Sequence, residues 1–161
     1  MGLFDFLRKP QPARDPAAVY AEAQAAETED LARACELYRS LPADYADAAA
    51  KLSELDPWAQ ISGTYTGSNE FSGKTYYHTV EITVYRKGEN FCVKGTHSGY
   101  TSKLLPESVL EYTTFENYRY EFSFRIPGNP ADTKIYISPQ ELKQYYNGHF
   151  NYILKKQKTH R

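Results

Sequence analysis

No run of this chain approaches the ~20 consecutive apolar residues that a membrane-crossing helix needs. There is one Met, one Trp and only two Cys in 161 residues. Cys35 and Cys92 have no second Cys or His at metal-ligand spacing, which argues against a zinc site and for reduced thiols in a cytoplasmic protein. No phosphate loop, Gly-rich dinucleotide turn, His-Glu-x-x-His or Gly-x-Ser-x-Gly motif is present, so the expectation is a non-enzymatic chain without a cofactor. Charge of one sign is also missing, since the net charge is −1. A chain with no broad basic face cannot neutralise a phosphate backbone, which argues against a nucleic-acid partner.

The two halves nevertheless differ. Residues 1–57 carry eleven acids against six bases, a net of −5, leaving thirteen bases against nine acids, or +4, in the remainder. Lys155, Lys156, Lys158 and Arg161 account for that excess, and a terminal charge run ordinarily reads as a solvated end. At the other terminus, Leu3, Phe4 and Leu7 could form one apolar turn that docks on a membrane or a partner, although such starts more often fray. Asp5 interrupts this patch, so it does not make a signal-peptide core.

What is abundant is tyrosine, with 15 Tyr beside 8 Phe. A tyrosine buries its ring while its hydroxyl needs a partner, so a Tyr-rich chain favours sheets, wet pockets and interfaces over dry helical cores.

Proline and capping residues divide the chain. Pro10, Pro12 and Pro16 make 1–15 a flexible segment. Asp15-Pro16 then opens a helix over 16–27 with an N-cap and a proline at the first helical position. Thr28-Glu29-Asp30 starts a second helix, whose stripe is Leu31, Ala34, Cys35, Tyr38 and Leu41, with Pro42 as the stop. A third repeats the spacing with Tyr45, Ala48, Ala49, Leu52 and Leu55 and ends at Asp56-Pro57. Two equal stripes across a three-residue break specify a helical hairpin, so 16–57 is a unit of two to three short helices.

Ala34, Tyr38, Leu41 and Pro42, followed by Asp44-Tyr45-Ala46-Asp47-Ala48, resemble the second-helix half and restart of a tetratricopeptide-type repeat, as in helical repeats of many bacterial proteins. The resemblance implies protein binding. It spans about a quarter of the chain and a single unit, and a lone repeat cannot bury its face, so the helices must lean on the rest of the chain, a second copy or a partner.

From Trp58 onward the period changes to two. Tyr118, Tyr120, Phe122, Phe124 and Ile126 take one parity and Asn117, Arg119, Glu121, Ser123 and Arg125 the other, giving one buried aromatic face and one wetted charged face. Strands are expected over 59–67, 77–87, 90–97, 108–115, 117–126, 133–138 and 149–156, with an extra one near 100–104. Ser138-Pro139-Gln140-Glu141 has the form of a capping box and Asn147-Gly148 of a helix stop, which predicts a short helix before the last strand. The fold class is therefore α+β: the helical hairpin, then over 58–158 an antiparallel barrel or sandwich of seven to eight strands, then a basic end at 159–161. Trp58 with Gly63-Thr64-Tyr65 is similar to the opening strand of lipocalin-like barrels, and that likeness implies a carrier of a small apolar or aromatic molecule.

Two functions follow from this architecture. The first is a protein-interaction module using the outward face of one strand, with Tyr77, Glu81 and Tyr85 as its contacts, since Tyr is enriched at interfaces. The second is a carrier whose ligand lies inside the barrel and touches Tyr65, His97, Tyr112, Tyr120 and Tyr152. Alternation places Cys92 and His97 on opposite faces, against a nucleophile–base pair. His78 shares the parity of Val80, Ile82 and Val84, as a hydrogen-bonded residue at the edge of the buried face would. A cavity of a few hundred Å³ would favour the carrier over the packed module.

Overall fold

The structure, a computed structural model, describes residues 14–158. Leu3, Phe4 and Leu7 and the basic end 159–161 lie outside the described residues.

Three helices come first. Asp15 accepts from the Ala17 N–H at 3.2 Å and Pro16 takes the first helical position, opening α1, Pro16–Ala26. The second helix starts two residues later than the Thr28 hydroxyl suggests. Asp30 is the cap, accepting from the N–H groups of Ala32 (3.1 Å) and Arg33 (3.3 Å), whereas Thr28 donates to the Ala25 carbonyl. That gives α2, Leu31–Ser40, with Leu31, Ala34, Cys35 and Tyr38 buried as the stripe requires. In α3, Ala48–Ala59, Pro57 lies inside the last turn instead of ending the helix. Trp58 and Ala59 beyond it are buried, and their packing holds that turn in place.

Nine antiparallel strands follow: β1 Gly63–Phe71, β2 Lys74–Lys87, β3 Asn90–Ser98, β4 Ser102–Val109, β5 Glu111–Tyr112, β6 Tyr120–Arg125, β7 Asp132–Ile137, β8 Glu141–Tyr146 and β9 His149–Lys156. Their order in one sheet is β4-β3-β2-β1-β9-β8-β7-β6-β5. The sheet curls until β4 lies beside β6, leaving a nearly closed barrel with a single unpaired seam. The alternation of 117–126 is realised in part: Tyr118, Tyr120 and Phe122 are buried and Asn117, Arg119, Ser123 and Arg125 exposed, whereas Glu121, Phe124 and Ile126 are half-buried and the strand itself covers only Tyr120–Arg125.

The helix expected before the last strand does not form. Ser138 Oγ does accept from the N–H groups of Gln140 (3.2 Å) and Glu141 (3.1 Å), as a cap would. The chain then turns back on itself, with Ser138 N–H donating to the Glu141 carbonyl and Ile137 paired with Leu142. Asn147 and Gly148, at φ 50° and 80°, form the two-residue turn of a second hairpin that pairs Tyr146 with His149. Asn-Gly with both residues in the left-handed region matches the twist of flanking strands, so the dipeptide ends a strand here and not a helix. This segment supplies β8, and a break at Leu110 separates β4 from β5, which together raise the strand number to nine.

The barrel is packed at one end and open at the other. Tyr65, Ile82, Val84, Val93, Ile135, Ile137, Leu142 and Leu154 fill the packed end and are continuous with the helix core of Ala23, Leu31, Ala34 and Leu55. Trp58 closes that end, stacking on Phe91 at 4.2 Å between centroids and leaning on Tyr120 at 4.7 Å. A second tie is polar. Arg86 N–H donates to the Glu27 carbonyl at 2.7 Å, and the buried Glu27 carboxylate faces Tyr38, Lys51 and Arg86. The helices therefore sit on the packed end, and the opposite end is left uncovered by them. Among the described residues, no helix is long and apolar enough to cross a membrane.

Candidate functional site

The open end holds a cavity of about 680 Å³, within the range of small-molecule sites. Its rim is aromatic. Phe71 ends β1, Tyr76 lies on β2, Tyr100 follows β3, Phe124 lies on β6, Tyr146 ends β8 and Phe150 is the second residue of β9. Phe71, Tyr100, Tyr146 and Phe150 are 63%, 47%, 41% and 56% exposed. Four large rings left in water around one opening are unusual for a surface with nothing to bind.

The floor is polar and buried. His78 on β2 and His97 on β3 bring Nδ1 and Nε2 to 3.0 Å. His78 Nε2 lies 2.7 Å from Asn69 Oδ1, while the Asn69 amide donates to the Tyr100 hydroxyl (2.9 Å) and to Asn151 Oδ1 (3.3 Å). Tyr152 on β9 donates to Gln144 Oε1 at 2.7 Å, with its oxygen 3.3 Å from His97 Nε2. The ring of Tyr152 stacks on that of His78 at 4.2 Å.

These contacts fix the proton positions. Asn69 Oδ1 can only accept, so His78 must carry its proton on Nε2. Its Nδ1 is then an acceptor, and His97 must donate from Nε2, to His78 and on the flank to Tyr152. His97 keeps a lone pair on Nδ1, on a ring that lines the cavity. Burial lowers the pKa of both imidazoles. That of His97 falls to about 4, through burial first and then through the neighbouring His78 and Lys103. Burial raises the Tyr152 phenol above its usual value. At neutral pH the whole floor is therefore uncharged.

Of the five residues expected inside the barrel, the cavity brings together His97 and Tyr152. Tyr65 is fully buried at the packed end, its hydroxyl shared between the Ile61 and Ser138 carbonyls at 2.8 and 2.9 Å. Tyr120 is buried against Trp58 at that same end. Tyr112 is 70% exposed at the sheet edge, over Trp58 and Tyr120. On the outward face of β2, Tyr77 is 77% exposed and Glu81 is exposed, but Tyr85 is 6% exposed beneath the Lys94 ammonium. The parity that turns Tyr85 outward is right, and the β3 side chain that covers it is what parity alone cannot show.

Sequence reasoning missed Asn69, His78, Tyr100 and Gln144 as members of the site. Asn69 shares the parity of Tyr65 and Gly67, and the Ser72-Gly73 dipeptide beyond it marks the true end of the strand. Gln144 shares the parity of Leu142 once β8 is recognised. Among the described residues no group of three or more His, Cys, Asp or Glu could hold a metal ion. Comparison with family models, with curated proteins and with solved structures finds no match to this chain.

Proposed function

We propose that this chain is a non-enzymatic binding protein that holds a small, largely apolar molecule in the open end of its barrel. The observation that carries this is the cavity itself: about 680 Å³, rimmed by exposed rings and floored by a neutral hydrogen-bonded set. A ligand entering it would cover ring surface now in water, at roughly 25 cal/mol per Å² of apolar area. His97 Nδ1 and the Tyr152–Gln144 pair would set its orientation, as a few polar groups do in an otherwise apolar site. The helices, packed on the far end, hold the barrel shut there. The two buried, unbridged thiols suit a cytoplasmic setting.

Native mass spectrometry of the folded protein purified from its own source tests the proposal. A retained mass of a few hundred daltons that is lost on denaturation is the expected outcome.

A protein contact on the outward face of β2 is the alternative. Tyr77 is exposed, and Glu81, Thr96 and Leu104 form one row across β2, β3 and β4, with Leu104 78% exposed. Tyr77→Ser with Leu104→Ser would abolish capture of such a partner and leave cavity binding intact.

A further inference from the structure

The charge of the cavity wall narrows the kind of molecule it would take. No Asp or Glu lines the cavity among the described residues, and the floor is neutral. Lys103 is the one Lys or Arg of a lining whose other basic residue outside the floor is His149. It stands on β4 opposite His97 in the ladder, half-buried, and lines the cavity. It takes part in none of the ion pairs among the described residues. An ammonium with no counter-ion is stabilised by any anion that can reach it, and the hydrogen bond formed is charge-assisted. Aromatic rims also attract cations through the faces of their rings. Here a cation would meet Lys103 with no carboxylate to offset the repulsion, so the rim's role is to stack on a flat ring.

We infer that the cavity takes a planar aromatic anion, its ring held between the walls and its anionic group at the Lys103 ammonium. This rests on the cavity being a ligand site, as proposed above. His97 Nδ1 is free to accept one hydrogen bond from a donor on the ring, and the neutrality of the imidazole floor keeps Lys103 as the main anchor for the charge.

Three probes share one ring system and differ in charge: 2-naphthoate, 2-naphthol and 2-naphthylmethylammonium. Isothermal titration near neutral pH would compare them on the full chain and on Lys103→Met and Lys103→Arg variants, each checked for folding by circular dichroism. The expected order is naphthoate, naphthol, ammonium. Lys103→Met should weaken naphthoate about tenfold, a typical worth for a charged hydrogen bond. It should leave naphthol nearly unchanged, and Lys103→Arg should keep most of the naphthoate affinity. Equal binding of all three probes, or preference for the ammonium, would overturn the anion assignment while leaving the ligand site standing. Binding of none of them to the folded full chain would remove the ligand site, and this assignment with it.

Discussion

Nδ1 of His78 accepts a hydrogen bond from Nε2 of His97 across 3.0 Å, so two buried imidazoles share one polarised contact. That contact exists only while His78 Nδ1 keeps its lone pair, that is, while His78 is neutral. Protonating His78 on Nδ1 would set two N–H groups against each other. Both pKa values are lowered, that of His97 to about 4, whereas an unfolded histidine titrates near 6.5.

The sign of the resulting pH dependence is definite. Between pH ~6.5 and ~4 the unfolded chain binds protons that the folded chain refuses, so stability falls as the pH falls through that window. Water in the open cavity screens part of the effect, leaving up to about 1 kcal/mol per pH unit. Urea unfolding followed from neutral pH to pH ~4.5 checks this. Carboxylates held low by partners, such as Asp132 beside Arg125 and Glu141 beside Lys155 and Tyr118, weaken the fold only at lower pH. His97→Gln should flatten the curve. A wild-type curve already flat over this window would contradict the tautomers assigned to the floor.

Gly99 is the residue that makes room for the pair. A Cβ there would stand 2.4 Å from His78 Nδ1 and 3.0 Å from His97 Nε2. Gly99→Ala should therefore force the rings apart at a cost of about 1–3 kcal/mol, as overpacking does. Denaturant midpoints give the cost, and ring-nitrogen NMR shifts report loss of the shared contact. Unchanged midpoints with unchanged shifts would show that the rings do not pack against Gly99.

Glu27 joins helices to barrel. Its carboxylate is buried, accepts from Tyr38 and lies 3.5 Å from Lys51 and 3.7 Å from Arg86. Glu27→Ala leaves Tyr38 and Lys51 short of a partner and Arg86 with Glu54 alone, and should cost about 3 kcal/mol. A change below about 0.5 kcal/mol, the size of an ordinary surface substitution, would mean the tie is only a surface contact.

Trp58 is the apolar counterpart of that tie. It fills the space between Phe91, Tyr112 and Tyr120, so Trp58→Ala should cost about 3–5 kcal/mol. As the sole tryptophan, it should emit at short wavelength in the folded state and shift red on unfolding. Emission typical of exposed indole in native buffer would contradict its burial.

Period and capping made most of the architecture legible from sequence. The Tyr118–Ile126 alternation and the Asp15-Pro16 opening both give local signals that packing then reinforces. The failure at 138–147 has a local cause. Ser138 makes the same hydrogen bonds in a tight turn as in a cap, and Asn147-Gly148 suits either a helix stop or a hairpin. What decides is that Leu142 and Gln144 both face inward, a period of two imposed by β7 and β9. The site was harder to see because Asn69, His78, His97, Gln144 and Tyr152 come from five strands. Only the pairing register brings them together, and one misread element hid Gln144. Tyr65, Tyr112 and Tyr120 look equivalent to Tyr152 in sequence, and only position along the barrel separates the packed end from the hollow one.

Amide chemical-shift mapping of the folded protein against a set of small aromatic fragments shows whether and where the barrel binds. Shifts should concentrate at the open end, at Phe71, Gly99, Lys103, Thr133 and Asn151, with the helices and the Trp58 end undisturbed. Shifts confined to the helices or the outer face of β2, or none at all, would contradict the proposed ligand site.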